Sequence, residues 1–417
     1  MTSSTTIDAD DQRLGFQRDT AARYTVIPVP DATVSDGAGD RLMQLLADLV
    51  AFPTESRTPN LELIRWVADH VESNGGRATV LEANEGRANL LASFGPREPG
   101  GLMLSGHTDI VPAGSGWASD PYSVTRIDDS LFGRGTADMK GFVAAMIRTF
   151  ERFRGIELTR PLHVALSFDE EIGCLGVRHA LQAVAGRDDI RPDLVVIGEP
   201  TMMRPSHSHM GKLAYEVMCR TAAAHSSLSH TKPSAIAVAV RLLGELDELQ
   251  QHHRPVDQPE VTFNCGTISG GSGVNVIADR CAFAFELRFT AGHDPDEVLR
   301  PFMEAVDRER SGLAEQHGSV ELSEIIRYPA LRTASTDPWL HLVERIADAG
   351  PAIAIGYGTE GGLFAEALGV PVVVCGPGDI AVAHRPDEYV TVDQLLRCER
   401  FLCSIVQQIC VDPTGDS

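Results

Sequence analysis

Residues 100–109 have the sequence GGLMLSGHTD, a short apolar run that ends in glycine, histidine and aspartate. The same form, an apolar run with a polar or glycine-rich end, recurs in PLHVALSFDEE (161–171), PDLVVIGEPT (192–201) and VPVVVCGPG (370–378). Segments with helical spacing, such as GFVAAMIRTFERF (141–153), lie between these runs. Buried strands that alternate with helices predict an α/β fold, in which helices cover both faces of a mainly parallel sheet.

A second pattern occupies residues 213–325. Strand-like LAYEVMCRTA is followed by a helical segment, two segments that alternate with period two, another helical segment and a final strand. The order βαββαβ predicts a ferredoxin-like α+β domain, which is inserted because the first pattern resumes after it. We therefore predict a polar extension at residues 1–39, a discontinuous main domain at 40–212 and 326–417, and the inserted domain between its two parts. We expect Asp40 to cap the first helix.

The chain is acidic, since 36 Lys and Arg stand against 58 Asp and Glu, a net charge of −22 over 417 residues. A protein that binds nucleic acid needs positive charge clustered on one face, so we expect no such partner. No stretch approaches the roughly 20 apolar residues of a membrane span, and no secretory signal is recognisable. The eight cysteines form no CxxC pair and are expected to be buried thiols of a cytoplasmic protein.

Carboxylates and histidines stand at the ends of the predicted strands. In parallel α/β sheets these ends share one edge, where ligands bind. The residues expected at this edge are His107, Asp109, Glu170, Glu171, Glu199 and His384, and Asp138 precedes the helix that begins near Gly141. Imidazole and carboxylate groups together are typical ligands of zinc and similar divalent metals. The sequence therefore predicts a metal site.

Each residue type has a chemical reason to be there. His107 offers a neutral ring nitrogen, and Asp109 can hold the other ring nitrogen. The side chains of Glu170 and Glu171 diverge in an extended chain, so one can bind metal while the other works beside it. The short carboxylate of Asp138 can bridge two ions. Two divalent cations are balanced in charge by three carboxylate ligands and one hydroxide.

Simpler explanations exist for each signal taken alone. A histidine two residues before an aspartate is common, a pair of glutamates is usually a solvated loop, and Asp138 could cap a helix. Several such signals at strand ends, all near glycines, favour a metal site. Other histidines do not share this position. We expect His207 and His209 to be plain loop residues and His163 to be a core histidine.

The motifs that carry these residues resemble metallopeptidase family M20, whose members are dizinc amidohydrolases that include aminoacylases and carboxypeptidases. They are SGHTDIVP (105–112), GRGTADMKG (133–141), SFDEEIGCLG (167–176) and VIGEPT (196–201). The resemblance extends from about residue 40 to the end of the chain. GYGTEGGLF (356–364) and CGPGDIAVAHRPDEYV (375–390) are similar to the acetylornithine deacetylases of that family. It implies a dizinc catalytic domain and a ferredoxin-like lid that also forms a homodimer contact.

The resemblance implies a role for each residue of the edge. Asp138 would bridge the two metals, with His107 and Glu199 on one metal and Glu171 and His384 on the other. Glu170 would be the general base, and Asp109 would orient the histidine. Glutamate at 199, where peptidases of the family often carry aspartate, favours a deacylase. The resemblance also implies a cis peptide between Asp138 and Met139.

The lid would contribute further residues. AAAHSSLSH (222–230) resembles the segment whose histidine, here His225, reaches the active site of the partner subunit and helps to bind the tetrahedral intermediate. Asn275 and Arg288 would hold the substrate carboxylate, and Thr359 and Gly362 are also assigned to substrate binding. The segment TAAAHSS lacks the Gly-Lys or Gly-Arg that often precedes this histidine.

The expected reaction is removal of the acetyl group from N-acetylornithine, a step of arginine biosynthesis, with two Zn²⁺ per subunit or Co²⁺ as a substitute. Other deacylases of the family remain open: succinyl-diaminopimelate desuccinylase, N-acetylcitrulline deacetylase or a general aminoacylase. A dipeptidase remains open as well. A non-catalytic metal-binding protein is the alternative from a different functional class. Such a protein would not need Glu170, the residue expected to be the general base.

Overall fold

The structure, a computed structural model, describes residues 37–253 and 260–412. Almost all of the polar extension expected at residues 1–39 lies outside these residues. The helices are α1 (Gly37–Val50), α2 (Leu61–Ser73), α3 (Gly141–Arg152), α4 (Leu175–Val184), α5 (Ala235–His252), α6 (Pro295–Ala314), α7 (Pro338–Ala347), α8 (Gly361–Leu368) and α9 (Val392–Val406).

The strands of the first half are β1 (Arg77–Glu82), β2 (Ala88–Phe94), β3 (Leu102–His107), β4 (Thr125–Ile127), β5 (Ser130–Phe132), β6 (Leu162–Ser167), β7 (Leu194–Pro200), β8 (Ser206–His209) and β9 (Gly211–Arg220). Those of the second half are β10 (Ala224–His225), β11 (Val261–Gly270), β12 (Val276–Ile277), β13 (Arg280–Phe289), β14 (Ser319–Tyr328), β15 (Leu331–Arg332), β16 (Ile353–Ile355), β17 (Val372–Gly376) and β18 (Tyr389–Thr391).

The main sheet has the order β1-β2-β6-β3-β7-β17-β8-β15, and β16 pairs with β8. Its four central strands, β6, β3, β7 and β17, are parallel to one another. The outer pairs β1–β2, β2–β6 and β8–β15 are antiparallel. The central strands are the apolar runs of the sequence, and every residue of β3 and β7 is buried. The α/β fold predicted from these runs is confirmed.

Helices cover both faces of this sheet, as predicted. Alternate residues of one strand belong to different cores: Leu102 and Leu104 of β3 pack with α1, α2, α3 and α9, whereas Met103 packs with α4 and α8. Burial of each such side chain contributes about 1.5–3 kcal/mol to folding. Because both faces are covered, the central strands are mainly apolar, and His107 and Glu199 lie at or near the strand ends.

The second pattern forms a separate four-stranded sheet with the order β11-β13-β9-β14, and all its pairs are antiparallel. Along β13 buried residues alternate with more exposed ones. The buried side chains pack against α5 and α6 and form their own hydrophobic core. The element order and the sheet order are those of a ferredoxin-like α+β unit. The α+β arrangement predicted for residues 213–325 is therefore present, and its role as a lid stays a prediction.

Two local predictions were wrong. Helix α1 begins at Gly37, so Asp40 lies in its first turn instead of capping it, a position where a carboxylate favours the helix dipole. His207 and His209 lie in strand β8 of the main sheet and not in a loop. The prediction for His163 agrees with its burial in β6. Within residues 37–253 and 260–412, every helix is too short or too polar to cross a membrane.

Candidate metal centre

The parallel strands bring the predicted residues to one edge of the main sheet. His107 is the last residue of β3, Glu170 and Glu171 follow β6, and Glu199 lies near the end of β7. His384 follows β17, which is the next strand in the sheet. Since β6, β3, β7 and β17 are neighbours and run in the same direction, their carboxyl ends converge. The edge predicted from the sequence is therefore the edge that the structure forms.

Asp138 lies between two groups of donor atoms. Its Oδ1 is 3.0 Å from His107 Nε2, and its Oδ2 is 3.1 Å from His384 Nε2. Glu199 Oε1 is 3.6 Å from the same nitrogen of His107. The carboxylate of Glu171 is 3.0 Å from His384 Nε2. Two triads that could each hold a metal ion therefore share Asp138, and the ligand atoms within each triad lie within 4.8 Å of one another.

The electrostatics of these triads fit divalent cations. Burial and the charge of Asp138 raise the pKa of Glu171 to about 7 and that of Glu199 well above its usual range. Burial alone would raise the pKa of Asp138, but hydrogen bonds with His107 and His384 outweigh it and lower that pKa. Crowded carboxylates of this kind repel one another unless positive charge lies between them. Nitrogen and oxygen donors also suit zinc and similar metals.

The backbone around Asp138 is held by a buried ion pair that we did not predict. Glu388 Oε1 accepts hydrogen bonds from the amides of Ala137 and Asp138, at 3.0 and 3.1 Å. Its other oxygen accepts one from Arg134 Nη1 at 2.7 Å. The Asp138–Met139 peptide is cis, as the resemblance implies. Glu388 lies in the motif CGPGDIAVAHRPDEYV (375–390), but its partner Arg134 is 254 residues away in the sequence.

Asp109 acts on its neighbours differently from what we expected. The Nδ1 atom of His107 lies 2.8 Å from the Asp109 carbonyl oxygen and 3.6 Å from its carboxylate. The carboxylate instead accepts hydrogen bonds from the amides of Glu170 and Glu171, at 3.0 and 3.4 Å, and from the Ser56 hydroxyl at 2.8 Å. Asp109 therefore orients the histidine through its backbone and the two glutamates through its side chain. Ser56 was missed by the sequence reasoning.

The side chains of Glu170 and Glu171 diverge, as expected of adjacent residues. Glu171 faces His384, whereas Glu170 Oε1 accepts a hydrogen bond from the Cys174 thiol at 3.3 Å. Burial raises the pKa of Glu170 well above its usual range. A carboxyl group in these surroundings holds a proton more readily than an ordinary carboxylate does.

Among the described residues, no hydrogen bond or ion pair joins His225, Asn275 or Arg288 to the triads. His225 is exposed, and its ring bonds only to Ser227 among the described residues. The backbone carbonyl oxygen of Asn275 accepts a hydrogen bond from the amide of Ser226, the residue after His225. Arg288 pairs with Glu286 at 2.9 Å and reaches the Gly356 carbonyl oxygen at 3.4 Å. Arg288 thus contacts the loop that carries Thr359.

Thr359 lies in the loop before α8, and Gly362 lies in the first turn of that helix; both are closely packed. Thr359 is fully buried, and its hydroxyl oxygen accepts a hydrogen bond from the Gly361 amide at 2.9 Å. A Cβ atom on Gly362 would collide with the Pro329 carbonyl oxygen, so only glycine fits there. Between them stands Glu360, a buried carboxyl group that the sequence reasoning also missed.

Known proteins resemble this chain in sequence and in fold. The model of peptidase family M20/M25/M40 matches residues 103–408. An acetylornithine deacetylase from Pasteurella multocida (strain Pm70) is 32% identical over 385 residues, which cover 88% of this chain and 98% of that protein.

Solved structures of low sequence identity share the fold. The M20 family metallo-carboxypeptidase Sso-CP2 from Sulfolobus solfataricus superposes with a TM-score of 0.73 at 16% identity, over 88% of this chain and 99% of its own. The Bacillus subtilis YXEP protein, a dinuclear metal-binding peptidase of the M20 family, has a TM-score of 0.63 at 16% identity, over 89% of this chain and 98% of its own. The resemblance found in the sequence motifs is confirmed. The chain belongs to peptidase family M20/M25/M40 and is a hydrolase that acts on amide bonds.

Proposed function

We propose that this protein hydrolyses N-acetylornithine to ornithine and acetate with two Zn²⁺ ions per subunit. The proposal rests on the position of Asp138, whose two carboxylate oxygens each face a different histidine. Glu170 lies near these residues. The similarity to the acetylornithine deacetylase of Pasteurella multocida supports the choice of substrate. We further propose that the reaction serves arginine biosynthesis in the cytoplasm, where the eight free cysteines would stay reduced.

The proposed ligands follow from the two triads. His107 and Glu199 would hold one ion, Glu171 and His384 the other, and Asp138 both. Bound there, the ions would polarise the amide carbonyl and make a water molecule more acidic. Glu170 would accept a proton from that water as it attacks the carbonyl carbon, and would then donate the proton to the departing amine. Asp109 would keep Glu170 aimed through its hydrogen bond to the Glu170 amide.

The substrate would be held between the two sheets. We propose that residues 40–212 and 326–417 form the catalytic domain and residues 213–325 the lid. Arg288 and Asn275 would bind the substrate carboxylate. Thr359 and Gly362 would contact the substrate from the opposite side. The contact of Arg288 with the Gly356 carbonyl oxygen supports this arrangement, because it brings a guanidinium group from the lid to that loop.

The lid also has a surface that suits a second copy of the chain. The edge strand β11 is exposed from residue 264 to 270, and an unpaired strand edge readily pairs with another strand. Large apolar side chains are exposed on the same unit: Leu228, Ile236, Val240, Ile268, Val274 and Val276. Exposed apolar residues in such number are typical of an interface. We therefore propose a homodimer through the lid, in which His225 of one subunit binds the oxyanion at the other subunit's metals.

A panel of substrates tests the proposed reaction. We expect kcat/KM to be highest for N-acetylornithine, compared with N-acetylcitrulline, N-acetylmethionine, N-succinyl-diaminopimelate and one dipeptide. Exhaustive chelation should abolish the activity, and added zinc should restore it. Equal or higher kcat/KM for another substrate would contradict the acetylornithine assignment. Activity that survives metal removal would contradict the whole mechanism.

Mixed dimers test whether His225 acts across the interface. We expect His225→Ala and Glu170→Gln to be almost inactive alone. In a mixed dimer, one site would combine an intact Glu170 with an intact partner histidine. Random mixing should then restore about a quarter of the wild-type activity, because half of the dimers are mixed and each has one intact site. If His225 acts within its own subunit, mixing restores nothing, and the proposal is wrong.

A further inference from the structure

Glu360 is a buried carboxyl group with no part in the proposed mechanism. Its side chain is 1% exposed, and Oε1 accepts a hydrogen bond from the Ser167 hydroxyl. Its other oxygen, Oε2, is buried and has no hydrogen-bond partner among residues 37–253 and 260–412. A buried, incompletely bonded carboxyl group destabilises a fold. Such groups concentrate at functional sites, so its position relative to the site is informative.

Glu360 lies in the loop proposed to bind substrate. It follows Thr359, and helix α8 begins at the next residue, Gly361. Close contacts fix this loop and the start of α8, since a Cβ atom on Gly358 would collide with the Tyr328 ring and one on Gly362 would collide with the Pro329 carbonyl oxygen. These contacts attach the loop to the end of β14 and the residues after it, which is the side of the lid.

The partner of Glu360 lies on the opposite side, among the metal-binding strands. Ser167 is the last residue of β6, and its backbone is in register with His107 of β3. Glu170 follows Ser167 by three residues. The hydrogen bond between Ser167 and Glu360 therefore joins the substrate loop to the two strands that carry a proposed ligand and the proposed base.

We infer that Glu360 is a positioning residue of the proposed reaction, which fixes Thr359 and Gly362 relative to His107 and Glu170 through Ser167. The inference rests on the proposed function. The carboxyl oxygen acts as an acceptor for the Ser167 hydroxyl, and a glutamine can supply the same acceptor. Alanine cannot, and it also leaves space in which the loop can shift. A shift of about 1 Å in groups that position the substrate can cost about 100-fold in kcat/KM.

The test compares Glu360→Ala, Glu360→Gln, Ser167→Ala and the double variant Glu360→Ala/Ser167→Ala. Glu366→Ala is the matched control, because Glu366 is an exposed glutamate of helix α8, which begins directly after Glu360. We expect Glu360→Ala to lower kcat/KM for N-acetylornithine by about 10- to 100-fold, mainly through a higher KM, with both metals still bound. Glu360→Gln and Glu366→Ala should stay within about threefold of the wild type. The double variant should be no worse than Glu360→Ala, because both changes break the same hydrogen bond.

Different outcomes separate this inference from the proposed function. A wild type that does not hydrolyse N-acetylornithine contradicts the proposed function, and the variants are then compared on the amide that it does hydrolyse. Wild-type kcat/KM in Glu360→Ala, loss of metal from it, or fully additive effects of the two changes would overturn the role of Glu360. If Glu360→Ala does not fold, Ser167→Ala decides, since an unchanged KM in that variant also overturns the inference.

Discussion

Replacing Glu170 by glutamine will reduce kcat by about 10²- to 10⁴-fold, the usual contribution of a general acid–base group, while the metal content stays the same. Glutamine has nearly the shape of glutamate and can still accept the hydrogen bond from Cys174. It cannot accept a proton from water at neutral pH. Because Glu170 lies outside both triads, its replacement should leave the affinity for metal intact.

The neighbouring residue provides the control for this prediction. Glu171→Gln changes the same chemical group one residue later, but Glu171 faces His384 within a triad. We expect Glu171→Gln to lose one metal ion together with its activity. Metal content by elemental analysis and kcat, measured on both variants, separate the two roles. Loss of metal from Glu170→Gln, or a rate close to that of the wild type, would mean that its role as base is wrong.

The sequence predicted those features of the fold that depend on local patterns. Runs such as LMLSGH and LVVIGEP, residues 102–107 and 194–200, are mainly apolar and wholly buried because both faces of the main sheet are covered by helices. Their polar ends then have to lie at one edge, and for this reason the strand pattern predicts that His107 and Glu199 share that edge. The alternation along β13 likewise predicted a sheet with one buried face.

Features that depend on contacts between distant segments could not be predicted. Arg134 and Glu388 form one buried ion pair although 254 residues separate them, and no local pattern indicates which of many charged residues will pair. Glu360 and Ser167 are 193 residues apart. The role of Asp109 was partly wrong for a similar reason. Asp109 lies next to the His107 ring, as the spacing in the sequence predicted. Its carboxylate, however, binds the amide of Glu170 in the loop after β6, so its backbone carbonyl oxygen faces the ring instead.

The prediction for His209 failed for another reason: a polar segment was interpreted as a loop. The sequence SHSH contains no large apolar residue, yet it forms β8 between β17 and β15. His209 is buried, and burial lowers its pKa to about 4. The neutral ring can then occupy an interior position that a charged ring would not tolerate. Polar composition alone therefore does not exclude a strand inside a large sheet.

Replacing Asp138 by asparagine will remove both metal ions and all measurable hydrolysis. Asp138 is the only described residue shared by the two triads, and asparagine keeps its size but removes the negative charge that faces both cations. Loss of a residue that merely supports a ligand lowers metal affinity by about 10- to 100-fold, so loss of a shared ligand should cost more. By contrast, Glu199→Gln should weaken one ion only, because Glu199 belongs to one triad.

Thermal unfolding gives a second measurement that does not depend on the substrate. An ion that binds the folded chain stabilises it, by about 4 kcal/mol when its free concentration is a thousand times Kd. Added zinc should therefore raise the Tm of the wild type and of Asp393→Asn, an exposed aspartate that serves as control, but not that of Asp138→Asn. A zinc-dependent rise in Tm of Asp138→Asn equal to that of the wild type would mean that the two ions do not share this carboxylate.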